Sequence, residues 1–166
     1  MNQKYFIKLP KEYLEGPQKG DFEKELLNVQ SYFDGAGLQF EKGFINFVFL
    51  KGLYSHMNRS TLVLGVFLNT LPDEIFALSG NLSLRHISDD SFSAEVAILV
   101  QEESIGQLKT NEGLLVHLEI PTQGVSGNTV FEADEIEATF ADVEYVKLSD
   151  EASEIQQVDS EDSNAN

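Results

Sequence analysis

From residue 38 onward the apolar residues of this chain recur every second position, and that alternation constrains the fold more than any other feature. In Phe92–Val100 the side chains of Phe92, Ala94, Val96, Ile98 and Val100 share one face. In Leu114–Ile120 the residues Leu114, Val116, Leu118 and Ile120 do the same, with His117 and Glu119 opposite. A period of two is the signature of a half-buried strand. Turn residues punctuate these runs every 8–15 positions, as in Ser88-Asp-Asp-Ser91 and Thr110-Asn-Glu-Gly113. Further strands are expected at Tyr5–Leu9, Leu38–Phe40, Phe44–Leu50, Leu62–Leu68, Ile75–Leu78, Leu82–Leu84 and Thr129–Ala133. Pro121 is expected to stop the strand it follows.

One segment breaks the pattern. Phe22, Leu26, Val29 and Phe33 repeat at helical spacing, with Asp21 as the candidate N-cap and Asp34-Gly35 as the exit. The apolar stripe of such a helix packs most simply on a sheet. Residues 134–146 fit helix by Ile136, Phe140 and Val143, but their β-branched and aromatic content favours a strand with an irregularity near Ala141-Asp142, where the alternation changes parity. The expectation is a mainly β single domain over residues 1–148: an immunoglobulin-like β-sandwich with one N-terminal amphipathic helix, or alternatively an OB-type barrel.

Charge separates the halves of the chain. Residues 1–85 hold 9 acids and 9 bases, whereas residues 86–166 hold 19 acids and only Lys109 and Lys147, so the whole net charge of −17 lies in the second half. Such a surface repels phosphates and anionic lipid and favours a basic partner. Residues 149–166 carry six acids, no base and no aromatic, which predicts a disordered acidic tail. The first ten residues lack the apolar run of a signal peptide, and the longest apolar run, Leu62–Leu68, is far too short for a membrane span. A cytoplasmic protein without membrane insertion is therefore expected.

The usual catalytic patterns are missing. Gly124-Val-Ser-Gly-Asn128 lacks the last glycine of a nucleophile elbow, and Gly35-Ala-Gly37 lacks the later glycine and lysine of a phosphate loop. The chain has no Cys, and His56, His86 and His117 have none of the paired spacings that seat a metal. His86, at a strand end beside Leu84 and Ile87, reads as structural or as a surface residue, and His117 as facing solvent or a cross-strand partner. The adjacent acids Asp73-Glu74, Asp89-Asp90, Glu102-Glu103 and Asp134-Glu135 point to opposite faces if on strands, which makes poor catalytic pairs. No enzyme activity, metal or cofactor is expected.

The stretch from Ile45 to Pro121 resembles bacterial immunoglobulin-like domains, most nearly the SLAP domain of Gram-positive S-layer-assembly proteins. The residues that carry the likeness are Leu62-Val-Leu-Gly-Val-Phe-Leu-Asn69, Leu82-Ser-Leu84, Ile105-Gly-Gln-Leu-Lys109 and Leu114-Leu-Val-His-Leu-Glu-Ile-Pro121. The chain departs from that pattern in having no Trp and in its N-terminal helix. The resemblance implies a sandwich and a non-catalytic interaction role.

These readings converge on a protein-binding or assembly module that contacts a basic protein partner. The candidate contact residues are Glu132, Asp134, Glu135, Glu137, Asp142 and Glu144, chosen for their clustering in sequence. Two other functions compete. One is an acidic nucleic-acid mimic that inhibits a DNA-binding enzyme. The other is an OB-type single-stranded-DNA binder, which requires a groove built from Lys42, Lys51, Arg59 and Arg85.

Overall fold

The computed structural model describes residues 4–147. The acidic tail expected at 149–166 lies outside them. Eight strands alternate with few helical residues: β1 (Phe6–Lys8), α1 (Lys19–Gly35), β2 (Ile45–Ser55), β3 (Ser60–Asn69), β4 (Ile75–His86), β5 (Ser93–Val100), a one-turn α2 (Glu102–Ile105), β6 (Glu112–Gln123), β7 (Thr129–Glu132) and β8 (Ile136–Lys147). A 3-10 turn at Lys11–Leu14 joins β1 to α1. The class is mainly β with one substantial helix, as the alternation implies.

The strands follow the order β7-β2-β3-β6-β5-β4-β8, and β1 adds to β6 in parallel. All other pairings are antiparallel. The sheet curls because β6 changes partner along its length. It pairs with β3 from Gly113 to Pro121, then with β5 through Thr122 and Gln123. Two arms result, β7-β2-β3-β6 with β1 and β5-β4-β8. Between them lies the main core, which includes Val63, Phe67, Leu78, Leu82, Ile98, Leu114 and Ile120.

A second core sits on the opposite face of the first arm. There Val29 and Phe33 of α1 bury Val66, Leu68 and Leu115 together with Tyr5, Ile7 and Leu9. Strand β3 is therefore apolar on both faces, with Val63 and Phe67 inward and Leu62, Leu64, Val66 and Leu68 outward. This two-sided burial explains its uninterrupted apolar sequence.

Several sequence expectations need correction. The helix begins at Lys19, so Asp21 lies within its first turn and caps nothing; Gln18 occupies the cap position without a side-chain bond. Acidic Asp21 still complements the positive end of the helix. Leu38–Phe40 is not a strand, and its apolar residues pack into the second core as part of a loop. The two short strands expected at Ile75–Leu78 and Leu82–Leu84 are one, because Ser79-Gly80-Asn81 stays extended between β5 and β8. Pro121 does not end β6. It stands where the strand passes from β3 to β5, and Thr122 N–H carries the hydrogen bonding on by donating to Arg59 O at 3.0 Å.

Residues 136–147 form a strand with the expected irregularity. The β4–β8 register shifts between Ser79 and Asn81, opposite Glu144 and Ala141. The displaced Asp142 has φ +54°, and Asn81 Nδ2 donates to its Oδ2 at 3.1 Å. Opposite the bulge, the Phe140 ring lies over Gly80, where a Cβ would overlap it.

Candidate interaction surface

The six acids adjacent in sequence are strung out in space. Glu132 ends β7, Asp134 and Glu135 form the turn into β8, and Glu137, Asp142 and Glu144 follow along that strand. At about 3.4 Å per residue, Glu135 and Glu144 stand roughly 25–30 Å apart. Three of the acids also have local work. Glu135 Oε1 accepts the Glu132 N–H at 2.9 Å, and its other oxygen faces His86 Nε2 at 3.5 Å. Glu137 accepts from Arg85 at 2.6 Å across the β4–β8 pair, which raises the guanidinium's already high pKa. Asp142 holds Asn81. That leaves Glu132, Asp134 and Glu144 with no side-chain partner among the described residues.

Strand β8 lies at one end of the strand order and, among the described residues, pairs only with β4. At the other end, β7 pairs with Lys51–Tyr54 of β2. The acids thus run from one sheet margin to the other through the β7–β8 turn.

The four basic candidates do not converge. Lys42 lies near the Ile45–Asn69 end of the β2–β3 hairpin and Arg59 at its tip, separated by about 30 Å of paired strand. Lys51 sits beside Glu132 in the β2–β7 register, and Arg85 is bound to Glu137 on the other arm. No common groove joins them.

The histidines serve different ends of the fold. His86 packs against Phe92 and Phe131 and accepts the Ser88 N–H, consistent with a structural role. His56 contacts Tyr54 at the hairpin tip. His117 differs from expectation: it faces neither solvent nor a cross-strand partner, but packs under α1 and the 3-10 turn. Tyr13 Oη accepts the His117 backbone N–H at 3.2 Å and lies 3.0 Å from Nδ1, while Glu25 meets Nε2. Tyr13 also stacks on Phe22 with ring centroids 4.2 Å apart. Burial raises the phenol pKa. The cluster clamps the helix to β6. Among the described residues no group of three or more His, Cys, Asp or Glu is placed to hold a metal.

A cleft of about 610 Å³ opens between β1, the 3-10 turn, α1 and α2. Leu9, Leu14, Leu26 and Ile105 line its floor, and Lys8, Lys11, Glu23 and Glu102 its rim. Burial lowers the Lys8 pKa, against the pull of Glu112 and Glu74. Two cations and two anions on the rim give the cleft no net preference for either sign.

The sequence reading missed a row of apolar side chains on the outer face of the first arm. Leu62 pairs across strands with Leu53, and Leu53 pairs on its other side with Val130. Directly opposed residues share a face, so the three lie side by side. They are 47%, 46% and 49% exposed, whereas Val66 and Leu68 farther along β3 are fully buried by α1. The available signal was the two-sided apolar sequence of β3, which demands a cover on each face, beside a single helix to supply the outer one.

No family model matches the chain, and no curated protein or solved structure matches it. No helix of the described residues is long and apolar enough to cross a membrane.

Proposed function

We propose that this chain is a non-enzymatic protein-binding or assembly module that engages a basic protein partner in the cytoplasm through its acidic C-terminal half. One observation carries the reading: Glu132, Asp134 and Glu144, with no side-chain bond among the described residues, lie on β7, the β7–β8 turn and β8, and those two strands end the sheet order among the described residues. Exposed carboxylates steer a basic surface into place and fix its orientation more than they add affinity. An edge strand offers backbone groups to an incoming chain. The immunoglobulin-like sandwich remains the preferred finer description, supported by two arms enclosing one core and by β2 and β8 having no ladder between them.

The nucleic-acid mimic is a second reading, favoured by acids that stand on folded strands. The single-stranded-DNA reading draws no support from four scattered cations.

The test uses the immobilised full-length chain and lysate treated with nuclease, washed at about 50 mM and then about 500 mM salt. The expected product is a nuclease-resistant basic protein released by salt. The variant E132K/D134K/E144K then slows association at low salt. Unchanged association kinetics with that variant would overturn the acidic-surface reading, and capture of a DNA-processing enzyme inhibited by the chain would favour the mimic.

A further inference from the structure

We infer that β8 receives an extended segment of the partner as an added edge strand, with Lys or Arg at alternate positions and apolar residues between them; this rests on the protein-binding reading above and names how and what it binds. The ladder shows which backbone groups are open. Glu135 O accepts the Ile87 N–H at 3.0 Å, and the β4–β8 register continues from there through Arg85↔Glu137 and Ser83↔Thr139. Residues of an antiparallel strand alternate between facing one neighbour and facing the other side. Glu137 and Thr139 therefore turn their N–H and C=O groups to β4, and Ala138 and Phe140 turn theirs away from it. Among the described residues no second strand pairs with β8; β2 approaches it without forming a ladder. The bulge at Asp142 interrupts this regular stretch, so the open edge suits a short segment.

Side-chain burial falls off towards the same edge. On the core face of β4, Leu78, Leu82 and Leu84 are 1%, 0% and 4% exposed. Their direct cross-strand neighbours on β8, Tyr145, Phe140 and Ala138, pack on the same core but are only partly buried. Apolar residues of an added strand fall on that face and complete its cover. The charge around the edge has one sign. From Glu132 to Lys147 the chain carries six acids and one base. Lys147 faces Asp73 at 3.8 Å, and the bases on adjoining strands are matched as well, Arg85 by Glu137 and Lys51 by Glu132 across from it. Glu135 faces His86, and Asp134, Asp142 and Glu144 have no cation within reach among the described residues. Lys or Arg on the outward side of an added strand answers this excess.

Two other occupants fit less well. A second copy pairing through its own β8 sets Glu137, Asp142 and Glu144 against the same three acids. Residues 149–166 follow β8 closely and are long enough to fold back along it, but they add six acids and no base to the excess. Their only large apolar residues, Ile155 and Val158, stand three apart and so fall on opposite faces of any strand.

The probe is a short synthetic peptide of alternating Lys and Val, titrated into the ¹⁵N-labelled full-length chain. Amide shifts are expected to gather at Ala138 and Phe140, and an alternating Glu and Val peptide is expected not to bind. Every second N–H of an added strand points at β8 and the rest point to solvent. N-methylation of one residue type, either Lys or Val, should therefore weaken binding by about tenfold or more, and N-methylation of the other type should leave it nearly unchanged. Equal effects of the two methylated peptides, with shifts at Asp134 and Glu144, overturn the added strand and leave the acidic-surface reading standing. Equal binding of the Glu and Val peptide overturns the basic segment. Slow hydrogen exchange at Ala138 and Phe140 in the free chain means that the edge is already paired, by residues 148–166 or a second copy, and overturns the proposal. Absence of binding at any surface overturns both readings.

Discussion

Replacing Asn69 by Ala should destabilise the protein by about 3–5 kcal/mol, because three backbone groups depend on that one fully buried side chain. Nδ2 donates to Leu108 O at 2.9 Å and Asp73 O at 3.0 Å, and Oδ1 accepts the Leu71 N–H at 2.9 Å. The bonds to Leu108 and Leu71 are buried, so water does not replace the lost partner. Each orphaned buried group costs about 1–3 kcal/mol, and the part-buried Asp73 carbonyl adds less. For a chain of this length the loss corresponds to a fall in Tm of roughly 8–15 °C. Urea denaturation is the assay, with the midpoint falling and the slope m unchanged. Asn69→Asp keeps an acceptor for Leu71 but turns a carboxylate towards two carbonyls, so it should be at least as damaging at pH 7. It should partly recover in acid, where the protonated group donates again. A cost of less than about 1 kcal/mol for Asn69→Ala would refute the claim that this residue ties the β3–β4 connection to the strand entering β6.

Other expectations follow from single contacts. A Cβ at Gly65 would overlap the Phe47 ring, itself packed edge-on against Phe67 at 4.9 Å, so Gly65→Ala should cost about 1–3 kcal/mol in the same urea assay. Partial burial raises the pKa of the Tyr13 phenol: its contribution to stability is complete below about pH 10 and is lost as pH rises through the folded value. Ultraviolet titration of wild type and Y13F should show that the substitution removes a late phenolate. Asp89 is held below the usual carboxylate range by the Ser91 hydroxyl at 2.6 Å and the Ser91 N–H at 3.0 Å. Its contribution to the β4–β5 turn is present above about pH 4 and fades as pH falls through the folded value. In S91A the carboxyl resonance of Asp89 should titrate at higher pH.

The chain's alternation revealed its strands because local periodicity is written residue by residue. Even the bulge at Asp142 was legible, since one extra residue reverses the parity of everything after it. Strand continuity was less so. Ser79-Gly80-Asn81 looks like a turn, yet pairing on both sides and the Phe140 ring over Gly80 keep it extended. Leu38 and Phe40 alternate like a strand but serve as loop anchors, because the second core needed apolar groups there more than the sheet needed another ladder.

The site was harder to read because adjacency in sequence is not adjacency in space. Six clustered acids became a line along one strand, half of it engaged locally. Conversely, Leu53, Leu62 and Val130 lie far apart in sequence and meet only through strand register. His117 likewise depends on how the helix docks, which no period in the sequence encodes.

The central claim is that the acidic C-terminal half, through Glu132, Asp134 and Glu144, meets a basic protein partner. A photo-crosslinking amino acid placed at Glu144 of the full-length chain, in the cell that makes it, tests this most directly. The account predicts a discrete adduct with a protein whose crosslinked segment is rich in Lys or Arg, and no such adduct from the same group at Leu62 on the other arm. Equal adducts at both positions, or none at Glu144, would contradict it.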